Sequence, residues 1–351
     1  MTDAAPLRKT EVIAPNLKRR LSGVTATVVR LIPFQRRLIA IATTGPGLPT
    51  DLPHIPLVRM FVLPRNRLRV WHARRNTEMV LGLMLRHLFR RRLALLFTSA
   101  AQRHHKGFTR WLIARMDRVI ATSPQAAGYL KVPATVVMHG VDCTAFRPAD
   151  DRGALRARLG LPVDACLIGC FGRIRAQKGV DLMIDAALAL MPARPGLHMI
   201  FTGRVTDDQR DFFNAQQARI GAAGLGARIH FLGELGWDQL PDHYSALDLF
   251  CAPARWEGFG LTPLEAMASG VPAVCARVGA FEALIRDGET GSLVPPGDAA
   301  ALTDAIRGWI DAPALLAAAG RAARAHVEKN HRIEDEARQI VAVYREMLGS
   351  S

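Results

Sequence analysis

The sequence predicts an α/β chain of two doubly wound domains with parallel sheets, facing each other across a central cleft. Short apolar runs alternate with longer helical patterns almost throughout, which is the pattern of strands covered by helices on both faces. A polar, proline-bearing stretch without periodicity at 146–151 interrupts that alternation, and the charge balance changes there. At 351 residues the chain is long enough for two cores of ordinary size. The expected domains are therefore 1–150 and 151–332, with a final helix over 333–351 that packs back on the first.

In the first half, strands are expected at 11–14, 38–42, 58–63, 93–98, 118–121 and 135–138. The spacing predicts helices over 78–91 and 108–116, and Ser123-Pro124 opens another. Beyond the linker, strands are expected at 166–170, 198–202, 229–232, 249–252 and 273–276. Helices follow at 179–190, 302–310, 313–327 and 333–348. No repeat of fixed period and no low-complexity tract is present.

The net charge of +15 is unevenly placed: residues 1–150 hold 25 Lys and Arg against 7 Asp and Glu, +18, and the remainder holds 21 against 24, −3. A largely arginine-based excess suits phosphate or carboxylate, which arginine binds bidentately. Nucleic acid, an anionic membrane surface and an acidic substrate all fit a basic face. Nucleic acid lacks support, because zinc-finger spacing, RNP-like aromatics and aromatic–basic interleaving are missing. Residues 78–92, an apolar helical pattern ending in Arg90, Arg91 and Arg92, read equally as a helix lying on anionic lipid and as a core helix with a basic end. No apolar run reaches the roughly 18 to 20 residues that span a bilayer, and 1–20 has no signal-peptide core, so a cytoplasmic protein is expected. The five cysteines, Cys143, Cys166, Cys170, Cys251 and Cys275, form no C-x-x-C pair and read as buried free thiols.

Two segments carry chemistry. The first is Glu257-Gly258-Phe259-Gly260-Leu261-Thr262-Pro263-Leu264-Glu265, where a glycine loop opens a helix between two carboxylates. Thr262 is expected as N-cap and Pro263 at the first helical position, with Gly270 closing the helix. A helix N-terminus favours phosphate or another electron-rich oxygen, and ionised carboxylates, being acceptors only, suit sugar hydroxyls. Thr262-x-x-Glu265 is also a capping box, which gives Glu265 a purely local role. Glu257 precedes the helix, where no capping role applies.

The second segment is Gly172-Arg173-Ile174-Arg175-Ala176-Gln177-Lys178-Gly179, the strand-to-helix turn after 166–170. That position holds phosphates in α/β sheets, and Arg173 and Lys178 provide countercharges for a diphosphate. Neither a Walker A loop nor a full G-x-G-x-x-G is present.

Taken together, Gly172-Arg173-x4-Lys178-Gly179 and Glu257-Gly258-Phe259-Gly260-Leu261-x3-Glu265 resemble the retaining nucleotide-sugar glycosyltransferases of family 4, which have the GT-B fold. The likeness extends to Ile120-Ala121-Thr122-Ser123, to Val136-Val137-Met138-His139-Gly140-Val141-Asp142, to Gly270-Val271-Pro272-Ala273-Val274 and to Gly288-Glu289-Thr290-Gly291. It implies an acceptor-binding first domain and a donor-binding second one. Arg173 and Lys178 then hold the donor diphosphate, Glu265 the ribose and Glu257 the hexose, with the N–H groups of Phe259, Gly260 and Leu261 meeting hexose or phosphate oxygens. Gly172 and Gly258 complete the donor loops.

The resemblance also implies retention of anomeric configuration without a metal, and a histidine of the first domain near the donor, for which His104 and His105 are both candidates. Two features depart from the family pattern. Many relatives have two adjacent glycines after the first strand, where this chain has only Gly23, and His139 stands where Asn is usual.

Trp71-His72-Ala73-Arg74-Arg75-Asn76, Glu78 and 98–105 resemble the rhizobial lipopolysaccharide-core mannosyltransferases. That likeness implies GDP-mannose as donor and the inner Kdo of a lipid A precursor as an anionic, lipid-linked acceptor at the inner membrane. The alternatives are a family 4 enzyme with another sugar nucleotide or anionic lipid, a sugar-nucleotide epimerase of the same architecture, and a nucleic-acid-binding protein.

Overall fold

The computed structural model describes residues 9–18, 23–101 and 103–349, in two compact units: 1–139 with 333–351, and 140–332.

The first unit is built on six parallel strands, β1 (Val12–Pro15), β2 (Ile41–Thr44), β3 (Arg69–Ala73), β4 (Leu93–Ser99), β5 (Arg118–Ala121) and β6 (Thr135–Val136), in the order β2-β1-β3-β4-β5-β6. Its helices are α1 (Gly23–Gln35), α2 (Asn76–His87), α3 (Gly107–Ile113) and α4 (Pro124–Gly128), with α13 (Ile333–Leu348) returning from the chain's end. Ser123 caps α4 through Oγ, as Ser-Pro predicts. One sheet face carries a core of Val12, Leu31, Val70 and Leu96 against Ile333, Ile340 and Tyr344 of α13. On the other, Met79 and Leu85 of α2 and Leu112 and Ile113 of α3 pack on Trp71, Leu95 and Phe97. Glu336 fastens α13 by accepting from Arg30 Nη2 at 3.0 Å and meeting His139 Nδ1 at 2.6 Å, so His139 has a packing partner of its own.

Two expectations fail in this unit. Leu57–Val62 is a 3-10 helix rather than a strand, bracketed by Pro56 and Pro64. The third strand is Arg69–Ala73, hidden in the sequence by its arginine: Arg69 is fully buried, and its Nη1 donates to the carbonyls of Pro64 (3.0 Å) and Arg67 (3.2 Å).

The second unit has a further six parallel strands, β7 (Cys166–Phe171), β8 (Leu197–Thr202), β9 (Ile229–Phe231), β10 (Leu249–Ala252), β11 (Ala273–Ala276) and β12 (Gly291–Val294), ordered β12-β11-β10-β7-β8-β9. Helices α5 (Arg152–Arg158), α6 (Val180–Leu190), α7 (Arg210–Ala222), α8 (Leu240–Ser245), α9 (Thr262–Ala268), α10 (Phe281–Leu284), α11 (Ala299–Ile310) and α12 (Pro313–Asn330) complete it. The sequence reading missed β12, four residues opening on a glycine. Residues 140–150, assigned to the first domain on sequence grounds, group with the second unit, where Arg324 of α12 donates to the carbonyls of Phe146 (2.6 Å) and Cys143 (3.0 Å).

All five cysteines are free; burial pushes the thiols of Cys166, Cys170, Cys251 and Cys275 up, to about 12 for Cys166 and Cys170. Among the described residues no helix is long and apolar enough to cross a membrane.

Candidate active site

The order β12-β11-β10-β7-β8-β9 reverses direction between β10 and β7, and parallel sheets take ligands beside the carboxyl ends of the strands at such a point. Both segments singled out in the sequence leave the sheet there: 172–179 follows β7, and 253–261 follows β10.

Main-chain and side-chain bonds join the two loops. Arg255 N–H donates to the carbonyl of Gln177 (2.9 Å), and Gln177 Nε2 donates to that of Trp256 (2.9 Å). The Arg255 guanidinium grips Asp181 bidentately at 2.8 and 2.7 Å. At the centre Lys178 Nζ is ion-paired with Glu257 Oε2, with side chains 22% and 17% exposed. Glu257 Oε1 accepts from the N–H of Gly258 at 2.9 Å.

Backbone conformation fixes this arrangement. Gly172 adopts φ +136°, and the Lys178 chain passes over it: a Cβ there would lie 3.6 Å from Lys178 Cε. Gly260 adopts φ +79°, and a Cβ would approach the Phe281 ring to 2.3 Å and Glu257 Cγ to 2.9 Å. Only glycine fits at 260.

Helix α9 begins at Thr262, with Leu261 as its N-cap and no side-chain cap bond. Thr262 is thus the first helical residue and Pro263 the second, one place later than predicted. Glu265 N–H donates to the Leu261 carbonyl at 3.0 Å, so it is committed to the helix ladder and the capping box is not formed. The buried Glu265 carboxylate instead accepts from the hydroxyl of Tyr244 in α8 at 2.7 Å. Burial and the neighbouring Glu265 raise the Tyr244 phenol well above its ordinary value, so the phenol stays a donor. Gly270, φ +75°, closes α9 as expected.

Two further arginines border the pair. Arg173 is exposed. Arg175 is half-buried, and burial followed by the adjacent Arg173 lowers its pKa from the arginine norm, an effect countered by Glu257 and Asp208. Residues 172–179 thus hold three cations, Arg173, Arg175 and Lys178, and no carboxylate, a balance suited to a diphosphate. The structure brings together Gly172, Arg173, Lys178, Glu257, Gly258, Phe259, Gly260, Leu261 and Glu265. Tyr244 was missed because it lies 21 residues from Glu265 and outside both motifs, and the Arg255–Asp181 clamp because its two halves, each two residues beyond a motif, meet only in the folded chain.

The remaining predicted residues belong to the first unit. Its sheet reverses direction between β1 and β3. There the buried Asn16 accepts from Arg75 Nη1 (2.9 Å) and Thr25 Oγ1 (3.1 Å), while Arg75 also donates to the buried Glu78 (2.8 Å). Gly23 is the first residue of α1, and residues 19–22 before it lie outside the described residues. His105 and His104 diverge. His105 Nε2 meets Ser99 Oγ at the end of β4 (3.1 Å), and burial lowers its pKa. His104 Nδ1 meets the Tyr129 carbonyl at 3.2 Å on an exposed edge. His72, unassigned by the sequence, is buried between Tyr344 Oη and Thr98 Oγ1, both at 2.6 Å; burial, then Arg74, lowers its pKa well below the imidazole norm. Among the described residues no group of three or more His, Cys, Asp or Glu could hold a metal ion.

Comparison with known proteins gives this arrangement its class. The family model for glycosyl transferases group 1 matches residues 151–326, a stretch that includes both loops. The chain belongs to that family and is a glycosyltransferase. More particularly, it is 49% identical to the lipopolysaccharide core biosynthesis mannosyltransferase LpsB of Rhizobium meliloti (strain 1021), over 97% of this chain and 99% of that protein. It is 51% identical to the lipopolysaccharide core biosynthesis mannosyltransferase LpcC of Rhizobium leguminosarum bv. viciae, over 98% and 99%. The crystal structure of Anabaena HepE in complex with UDP and glucose shares the fold, with a TM-score of 0.82 at 19% identity over 96% of this chain and 100% of that one. The two six-stranded parallel sheets are those the GT-B resemblance implies.

Proposed function

We propose that the protein is a retaining mannosyltransferase of lipopolysaccharide core assembly, transferring mannose from GDP-mannose to the inner Kdo of a Kdo-lipid A precursor at the cytoplasmic face of the inner membrane. The observation that carries the donor half of this reading is the Lys178–Glu257 ion pair at the switch point of the second sheet, flanked by Arg173 and the buried Glu265. The two mannosyltransferase relatives support the sugar and the pathway.

In this reading Arg173 and Lys178 hold the diphosphate. A phosphate oxygen at Lys178 Nζ replaces the Glu257 carboxylate as its partner, which frees Glu257 for the hexose hydroxyls. Glu265, oriented by Tyr244, accepts from the ribose, and the N–H groups of Phe259, Gly260 and Leu261 face hexose or phosphate oxygens. The bond from the anomeric carbon to the diphosphate breaks while a bond to the acceptor oxygen forms on the same face, and the departing phosphate takes the acceptor's hydroxyl proton. Lys178 and Arg173 stabilise the charge that develops on the leaving group. His105 is the first-unit histidine of this account, because its ring reaches the carboxyl end of β4.

The anionic acceptor falls to the arginine-rich first unit; its Kdo carboxylates and lipid A phosphates match that charge. Radiolabelled transfer from GDP-mannose to Kdo-lipid A precursor tests the reading, with UDP-glucose and UDP-galactose as competing donors. The expected result is a mannosylated product from GDP-mannose alone, reduced at least about tenfold by Lys178→Ala, the least a lost charge-assisted bond removes. Transfer from a uridine nucleotide instead would replace this donor assignment.

A further inference from the structure

Helices α2 and α3 cover the same face of the first sheet and run side by side. Asn76 Nδ2 donates to Thr109 Oγ1 (2.8 Å) near their starts, and Arg86 pairs with Asp117 (2.6 Å) near their ends. Their inner sides are buried, through Met79, Gly82 and Leu85 on α2 and Leu112 and Ile113 on α3.

Their outer sides are apolar as well. Val80, Met84 and Leu88 follow one another at helical spacing, and Leu88 is 70% exposed. On α3, Phe108 and Trp111 are 60% and 48% exposed, and their rings stack 6.1 Å apart. The Arg115 guanidinium lies 3.8 Å over the Trp111 ring. Exposed aliphatics at helical spacing on one helix and a stacked, exposed aromatic pair on its neighbour exceed the singly scattered hydrophobics of a surface that meets only water.

The charge around these side chains has one sign. Arg90, Arg92, Lys106, Arg110 and Arg115 are exposed on or beside the two helices. The only carboxylates in residues 76–118 are Glu78, buried against Arg75, and Asp117, paired with Arg86.

We infer that the outer face of α2 and α3 is a docking surface for an anionic phospholipid bilayer, with Phe108, Trp111, Met84 and Leu88 entering the headgroup region and the arginines facing lipid phosphate. An aromatic pair beside cations is suited to that interface, because the rings bury area and the guanidiniums keep their phosphate contacts. A second copy of the chain fits the face less well, since a two-fold contact would set the same arginines against themselves. The surface answers both readings of residues 78–92: α2 is a core helix on one side and lipid-facing on the other. This inference deepens the proposed function by giving the surface through which a lipid-linked acceptor is approached.

Sedimentation with vesicles, without donor or acceptor, tests it independently of the sugar chemistry. Native protein should partition onto phosphatidylglycerol-containing vesicles at least about tenfold more than onto phosphatidylcholine alone. Phe108→Glu/Trp111→Glu should lose that partition at least tenfold with an unchanged melting temperature, and Met84→Glu/Leu88→Glu should do the same from the neighbouring helix. Phe108→Leu/Trp111→Phe should retain most of it. Equal binding by native protein and both glutamate variants would overturn the inference. So would failure of the native protein to bind, or a dimer in light scattering that the glutamate variants dissolve.

Discussion

Tyr244 in α8 donates its hydroxyl to the carboxylate of Glu265 in α9 at 2.7 Å, and both side chains are buried. A hydrogen bond to a charged acceptor contributes about 1.5–3 kcal/mol, and a buried carboxylate that loses its donor costs a comparable amount. This contact therefore helps to hold the carboxylate in the orientation that the proposed ribose contact requires.

Tyr244→Phe should lower unfolding stability by about 1–3 kcal/mol in urea titration. It should also weaken GDP binding while leaving mannose-1-phosphate, which lacks the ribose, unaffected. A variant with native GDP affinity would remove Tyr244 from the donor site and leave it a packing role.

The two histidines proposed for one role separate by their contacts. His105 reaches Ser99 at a strand's carboxyl end, whereas His104 turns to the Tyr129 carbonyl. His105→Ala is expected to reduce kcat by about a hundredfold, the lower range for loss of a positioned acid–base or polar group. His104→Ala should stay within about twofold. Steady-state transfer assays decide between them, and reversed effects would contradict the assignment.

Acid should destabilise the fold through its buried imidazoles. Burial, then the neighbouring His326, lowers the His331 pKa to about 4, so the unfolded chain binds the proton more tightly. The stability His331 contributes is fully present above its unfolded value of about 6.5 and is lost as pH falls from there to about 4. The linkage amounts to about 3 kcal/mol, at about 1.4 kcal/mol per unit of pKa difference. His72, shifted in the same direction, adds to the slope. Urea midpoints measured from pH 7 to 4 should fall, and His331→Gln should flatten the decline.

How much of this was legible in the sequence depended on whether a feature was local. The strands Leu249–Ala252 and Ala273–Ala276 were read to the residue because they are buried on both faces and written in apolar residues. Arg69–Ala73 escaped because its first side chain is a cation, whose burial depends on carbonyls at Pro64 and Arg67 that no pattern displays.

The same division holds in the site. Gly172, Lys178, Glu257 and Gly260 stand out in the sequence because glycine and charge at strand ends have a local meaning. Tyr244 stands 21 residues from Glu265, and Asn16 stands 59 from Arg75, so both contacts needed the chain folded. The capping box failed by one residue: α9 starts after Leu261, which moves Thr262 inside the helix.

In the proposed donor site, formed by the loops after β7 and β10, diphosphate takes Lys178 from Glu257. Calorimetric titration of GDP and GDP-mannose into native protein, Lys178→Ala and Glu257→Gln tests it most directly. Lys178→Ala should weaken both ligands about tenfold to a hundredfold, the effect of losing one charge-assisted bond. Glu257→Gln should leave GDP within about twofold and weaken GDP-mannose about tenfold, since only the hexose contact is lost. Native affinity for both ligands in both variants would contradict the account.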